Sequence, residues 1–364
     1  MIRFRFAAEP AESIAFAYSP LLEVVLSLHV LLEPRHHPLQ HPWVRRARTL
    51  PGGLRREIVD LGFVYRHFVP EFLAPWLASP GYRTFDAELA DLRELDEATV
   101  ALGFLRPLWD HKGRRDATLL EDETVRAHAV GRAEKEGGDR DAARLIFESP
   151  GKLLERFAKL LAAYWEAAFE DEWRRLEPRL AETVADAGKR IAAENVYAYL
   201  TGLSPQLLIE PGKREIRRNL PHDHTVEITP ETELVLVPSA YVWPHVRVNC
   251  DAPWPPTIVY PAPFVLADAR PGLPSDEVVH VLRALADETR LRALKLIAAQ
   301  PRSTQELAPL VGITEAGLSK HLRLLARSGL VQTKREGYYV LYSVDKDRIA
   351  PLSEALLDFL TASS

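Results

Sequence analysis

Apolar residues alternate with arginine over Ile2–Phe6, which places Ile2, Phe4 and Phe6 on one face of a short predicted strand. Beyond it, and up to about residue 200, the period becomes that of amphipathic helices. The clearest predicted helices are Pro20–Leu32, Leu54–Phe68 and Phe85–Leu105. A nearly continuous apolar stripe then runs from Pro150 to Leu200, with Pro178 as the natural place for a kink or break. The run Glu-Lys-Glu-Gly-Gly-Asp-Arg-Asp from Glu134 reads as a solvated turn.

The texture changes after Gly202. Short β-branched or aromatic runs, Glu233–Val237, Tyr241–Val248 and Thr257–Tyr260, are punctuated by proline and read as a small antiparallel sheet. The strand pattern ends at Arg270–Pro274, and helical spacing resumes at Ser275, a plausible N-cap. The predicted class is α+β. Residues 1–272 form a mostly helical N-terminal domain, helical to about 200 and β-rich over 203–270, and residues 273–364 form a C-terminal winged helix-turn-helix.

The C-terminal pattern is four helices, a hairpin and a last helix. Leu291, Leu294 and Ile297 share a face of the second helix, and Leu307 and Leu310 supply the apolar face of the third. Ser303 or Thr304 caps that third helix. Gly312 can take the positive φ of a tight turn, and Thr314 caps the next helix. In that helix Leu318, Leu322 and Leu325 stand at i, i+4 and i+7 and face the core. Thr314, Glu315, Ala316, Ser319, Lys320 and Arg323 remain on the other side, toward the N-terminus, where a recognition helix meets base edges. A bland surface helix could show the same residues. The following hairpin, Leu330–Arg335 and Tyr338–Val344 joined around Glu336-Gly337, carries Lys334 and Arg335 near its tip. That is the form of a wing that contacts phosphate or the minor groove.

Charge supports this placement. The whole chain of 364 residues has a net charge of −5, whereas residues 275–349 hold 12 Lys+Arg against 9 Asp+Glu. Positive charge is therefore concentrated where DNA would sit.

Several strings in this segment resemble the ArsR-type winged-helix regulators: Leu285-Ala286-Asp287-Glu288-Thr289-Arg290, Glu306-Leu307-Ala308, Leu318-Ser319-Lys320-His321-Leu322, Ser328-Gly329-Leu330-Val331 and the strand Tyr338–Ser343. The resemblance covers residues 278–344. It implies a homodimer built partly on the first and last helices, here Ser275–Leu285 and Ile349–Leu360. The latter carries an apolar stripe of Ile349, Leu352, Leu356, Phe359 and Leu360. The best-known members sense metals, and this sequence departs from them: there is no cysteine pair around Ser303–Gln305 and no histidine in Ile349–Leu360. Ser19–Leu31, Tyr164–Ala181 and Leu234–Pro244 are similar to a long N-terminal extension, without assigned function, found in a subgroup of ArsR-like bacterial regulators.

Other constellations carry less. The single cysteine, Cys250, excludes a disulfide framework and any multi-cysteine metal site. His36, His37 and His41 share a Pro-rich loop without the spacing of a metal site, and His222-Asp223-His224 reads as a polar turn. Glu166, Glu170, Asp171 and Glu172 beside Arg174 and Arg175 read as surface ion pairs rather than an acid/base pair. The aromatic residues of the middle region read as core, with the alternative that a minority of them line an apolar ligand pocket between the helices and the sheet. No nucleophile triad, phosphate loop or dinucleotide fingerprint occurs, so no catalytic residue, cofactor or metal is assigned. Leu21–Leu32 is too short to span a bilayer, and no secretory signal opens the chain; the location expected is cytoplasmic. The implied function is sequence-specific binding of double-stranded DNA by a homodimeric transcriptional regulator, a repressor with a small-molecule, non-metal effector or none. The alternatives are an enzyme or ligand-binding protein that uses the winged helix for autoregulation, and a constitutive architectural DNA binder.

Overall fold

A computed structural model describes residues 1–67, 69–73, 83–109, 117–193, 195–220, 223–251, 253–269, 276–337 and 339–345. The chain divides into two compact units, Met1–Ala267 and Asp268–Ser364. The larger unit begins with strands β1 (Ile2–Phe6) and β2 (Ile14–Phe16). Helices α1 (Pro20–Leu32), α2 (His41–Ala47), α3 (Gly52–Asp60), α4 (Phe85–Arg93), α5 (Glu97–Leu105), α6 (Glu123–Lys135), α7 (Arg140–Glu148), α8 (Pro150–Tyr164), α9 (Glu170–Ala193) and α10 (Val196–Leu203) follow. Strands β3 (Leu207–Glu210), β4 (Glu215–Arg218), β5 (His224–Ile228), β6 (Leu234–Ser239), β7 (Arg247–Asn249) and β8 (Thr257–Pro261) come next, then α11 (Pro263–Ala269). No helix among the described residues is long and apolar enough to cross a membrane.

The α+β class holds, but the single antiparallel sheet does not. Two mixed sheets form, in the orders β3-β4-β1-β5 and β2-β6-β8-β7. β1 runs antiparallel to β4 and parallel to β5. β6 runs parallel to both β2 and β8, and only β7 is antiparallel to β8. The physical reason is burial on both faces. Every residue of β6 and β8 is buried, and such strands read as unbroken apolar runs, the mark of parallel pairing. Tyr241–Val248 is mostly not strand either. Ser239 Oγ accepts the N–H groups of Tyr241 and Val242, each at 3.1 Å, and turns the chain before β7.

Helix boundaries also differ. The run Phe85–Leu105 is two helices, because Asp96 caps α5 by accepting Thr99 N at 2.9 Å and Thr99 Oγ1 at 2.6 Å. The run Leu54–Phe68 stops at Asp60, and Phe63, Val64 and Tyr65 are buried in succession, which no single helix face can provide. Pro178 lies inside a continuous α9. The irregularity is instead a π-helical turn at Trp165–Phe169, and the break comes at Asn195, whose side chain caps α10.

Helix α1 is buried without interruption from Pro20 to Val30. Its polar residues are held by bonds. Ser27 Oγ donates to Val24 O and lies 3.0 Å from the Tyr164 hydroxyl, which accepts Trp43 Nε1–H. His29 Nδ1 meets Tyr65 O at 3.2 Å. Glu172, expected on the surface, is buried: it binds Arg46 and Arg175 and accepts the Tyr241 hydroxyl. Glu23 accepts Ala240 N–H at 3.1 Å. Burial pushes its carboxyl up to about 8, against opposing hydrogen bonds from Ser239, Ala240 and Tyr241.

A carboxyl that is raised on folding stabilises the fold fully below its unfolded value of about 4.5. That contribution is lost as the pH rises through about 8. The melting temperature of Glu23→Gln relative to the natural protein should therefore climb steadily between pH 5 and pH 9. A pH-independent difference, read by circular dichroism, would contradict the assignment.

Candidate nucleic-acid interface

The smaller unit contains α12 (Asp276–Leu285), α13 (Glu288–Ala299), β9 (Arg302–Ser303), α14 (Thr304–Val311), α15 (Glu315–Arg327), β10 (Val331–Glu336) and β11 (Tyr339–Val344). Its core joins Ala293, Leu294 and Ile297 of α13 to Leu307, Ala308 and Val311 of α14 and to Leu318, Leu322 and Leu325 of α15. Two leucines expected inside are outside: Leu291 is 50% exposed and Leu310 55%. Each lies more than a quarter turn from the centre of its helix's buried stripe. The shared apolar faces are therefore 293/294/297 and 307/308/311.

The turn between α14 and α15 is set by backbone conformation. Gly312 takes φ +84°, and its N–H and that of Ile313 both donate to Ala308 O. A Cβ at Gly312 would meet nothing within 4 Å, so the position demands left-handed backbone rather than space. Upstream, Ser303 and Glu306 form a reciprocal capping box. Downstream, Thr314 Oγ1 accepts Gly317 N–H at 3.2 Å and starts α15.

With its leucines committed, α15 leaves Glu315, Ala316, Lys320 and Arg323 exposed beside exposed Thr314, and Ser319 half-exposed. Arg323 Nε folds back onto Ser319 O at 3.3 Å, within reach of redeployment toward a ligand. The arrangement is a short-residue surface at the helix N-terminus with two cations one turn further on.

Asp287 and His321 stand in the strings that carry the resemblance but have no expected site role, and the structure brings them together. Asp287 Oδ1 caps α13 through Arg290 N–H at 2.9 Å, and this bond, first among its causes, holds the carboxyl below the usual carboxylate range. The same oxygen lies 3.6 Å from His321 Nδ1 of α15. Arg290 in turn donates to Ala284 O and Arg283 O at the end of α12. Three helices thus meet at one carboxylate, which positions α15. The Asp-x-x-Arg spacing followed by a histidine in the later helix was the signal available.

β10 and β11 pair in register from Val331↔Val344 to Glu336↔Tyr339, and β11 also pairs with β9 through Leu341↔Ser303. That third strand fastens the middle of the hairpin to the start of α14. Lys334 and Arg335 are exposed near the tip; Lys334 pairs with Glu336 at 2.9 Å. Tyr339 and Val340 are exposed on the same hairpin. Ser275, Tyr338 and the apolar stripe Ile349, Leu352, Leu356, Phe359 and Leu360 lie outside the described residues.

Residues 2–265 match a family model described as a family of unknown function (DUF5937), and residues 287–333 match one described as bacterial regulatory protein, arsR family. Over 90 residues the chain is 38% identical to the HTH-type transcriptional regulator KmtR of Mycobacterium tuberculosis, covering 24% of this chain and 69% of that protein. Over 77 residues it is 38% identical to a probable mercury resistance operon repressor of Streptomyces lividans, covering 21% of this chain and 62% of the relative. Over 82 residues it is 33% identical to the transcriptional activator HlyU of Vibrio cholerae, covering 22% and 76%. The solved structure of reduced HlyU aligns at 33% identity over 24% of this chain and 90% of that one, with a TM-score of 0.20.

Asp287→Ala removes both the cap and the partner of His321, and a missing N-cap costs about 1 kcal/mol. Asp287→Asn keeps the cap and should stay within a few tenths of the natural protein. Amide hydrogen exchange in α13 and α15 reads the difference. Equal protection in the Ala and Asn variants would show that the cap contributes nothing.

Proposed function

Because the chain belongs to the DUF5937 family over residues 2–265 and carries an arsR-family domain over residues 287–333, we propose that it is a DNA-binding transcriptional regulator acting as a homodimeric repressor. The observation that carries this reading is the fixed rotation of α15. Its buried leucines leave Thr314, Glu315, Ala316, Ser319, Lys320 and Arg323 facing outward, beside a hairpin tipped with Lys334 and Arg335. A helix with short and basic residues at its N-terminal half fits the major groove, and a basic hairpin fits the flanking backbone.

Two considerations support the dimer. One helix and one hairpin form a small module, of about 600–1,000 Å² when buried on DNA, and tight specific sites need more. In this unit Leu291 and Leu310 also expose apolar surface that a second copy would cover. Repression follows most simply, because a bound dimer blocks a promoter by occupancy alone. The relatives differ here, one being called a repressor and another an activator. The larger unit is read as a regulatory domain rather than an enzyme. Three of its perturbed groups, Glu23, His29 and His37, are buried and bonded to backbone, at Ala240, Tyr65 and Trp243.

Two pairs of substitutions should separate readout from attachment. Lys320→Ala and Arg323→Ala should each relax base preference, at about 1–3 kcal/mol for each base edge no longer read. Lys334→Ala with Arg335→Ala should weaken binding to every sequence and flatten the plot of log affinity against log salt, by about one for each phosphate no longer neutralised. Fluorescence anisotropy across a salt series measures both. An unchanged slope sinks the wing assignment, and an unchanged preferred site sinks that of the helix.

A further inference from the structure

The two sheets of the larger unit end close together. β5 is an edge of the first sheet and β7 an edge of the second. His224 opens β5, and Cys250 and Asp251 follow β7 directly. One ligand atom from each of these three residues lies within 4.8 Å of the other two. We propose that His224, Cys250 and Asp251 form a Zn²⁺ site that clasps the two sheet edges together.

The donor set fits that ion. A thiolate selects against Mg²⁺ and Ca²⁺, while imidazole and carboxylate complete a borderline set suited to zinc. With bonds of about 2.0–2.3 Å, tetrahedral ligand atoms stand about 3.3–3.8 Å apart. The three side chains therefore need to close by at most about 1–1.5 Å. His224 is exposed and free to turn, while Cys250 and Asp251 are half-buried on the wall it turns toward. Asn249 Oδ1 accepts Asp251 N–H at 3.3 Å, which shapes the turn. Arg106 Nη1 lies 3.0 Å from Asp251 Oδ2 and also pairs with Glu71. An outer partner of this kind orients a ligating carboxylate. Three protein ligands leave a fourth position to solvent. All three residues belong to the larger unit, and the test does not read DNA.

The chain contains a single cysteine, so any thiolate-to-metal absorption reports on Cys250. The full-length protein is titrated with Co²⁺, followed in the near ultraviolet, then challenged with Zn²⁺. A saturable charge-transfer band is expected, bleached by Zn²⁺ and absent from Cys250→Ser. Its midpoint should rise at least about tenfold in His224→Ala and in Asp251→Asn, since even outer-shell changes cost that much. Independently of any variant, Zn²⁺ should slow alkylation of Cys250 by iodoacetamide in the natural protein. No band at excess Co²⁺, a midpoint unmoved by the His224 and Asp251 substitutions, or alkylation indifferent to Zn²⁺ would each overturn the proposal.

Discussion

Burial of Leu318, Leu322 and Leu325 against α13 and α14 fixes the rotation of α15 about its own axis, and the remaining features of the DNA-facing surface depend on it. All three side chains are wholly buried. Each is worth about 1.5–3 kcal/mol relative to water, whereas a surface helix pair contributes about 0.2–0.5 kcal/mol. No arrangement of the polar residues could outweigh the leucines and turn the helix. The choice of outward residues is thus made by the core, and the chemistry at the surface is what is left over. The αL turn at Gly312, the capping box at Ser303 and the carboxylate of Asp287 serve that one outcome, since each fixes where a neighbouring helix begins or ends.

Electrostatics then acts at short range. The chain is acidic as a whole, and its basic residues outnumber acidic ones over residues 275–349. At physiological salt the screening length is about 8 Å, so a phosphate near Lys334 or Arg335 responds to the local balance rather than to the net charge. The larger unit has its own core, built around a helix that is buried all along one eleven-residue stretch, Pro20–Val30. A segment with such a core is a folded domain and not a linker.

How much of this was legible in the sequence depends on the kind of signal. Strand β1 and helix α1 match their expected bounds, and the caps Ser303 and Thr314 and the turn at Gly312 stand where side-chain chemistry put them, because these are local features. Periodicity failed where its signal was degenerate. It ran α4 into α5, since a capping aspartate is a single polar residue in an otherwise helical pattern. It counted Leu291 and Leu310 as core, since a leucine beside the stripe looks like one within it. The parallel pairing of β2 with β6 joins residues more than two hundred positions apart, and nothing local encodes it. Separation along the chain also hid the Asp287–His321 pair and the approach of His224 to Cys250. The outward residues of α15 were legible because they follow from three leucines on one helix.

Reading of base edges by α15 from a two-fold assembly is the central claim, and selection of binding sites from a random duplex library by the full-length protein tests it most directly. Two inverted half-sites, centred about 10–10.5 base pairs apart, should be enriched, as two recognition helices roughly 34–36 Å apart require. Enrichment of one unrepeated motif, or of no motif above background, would contradict it.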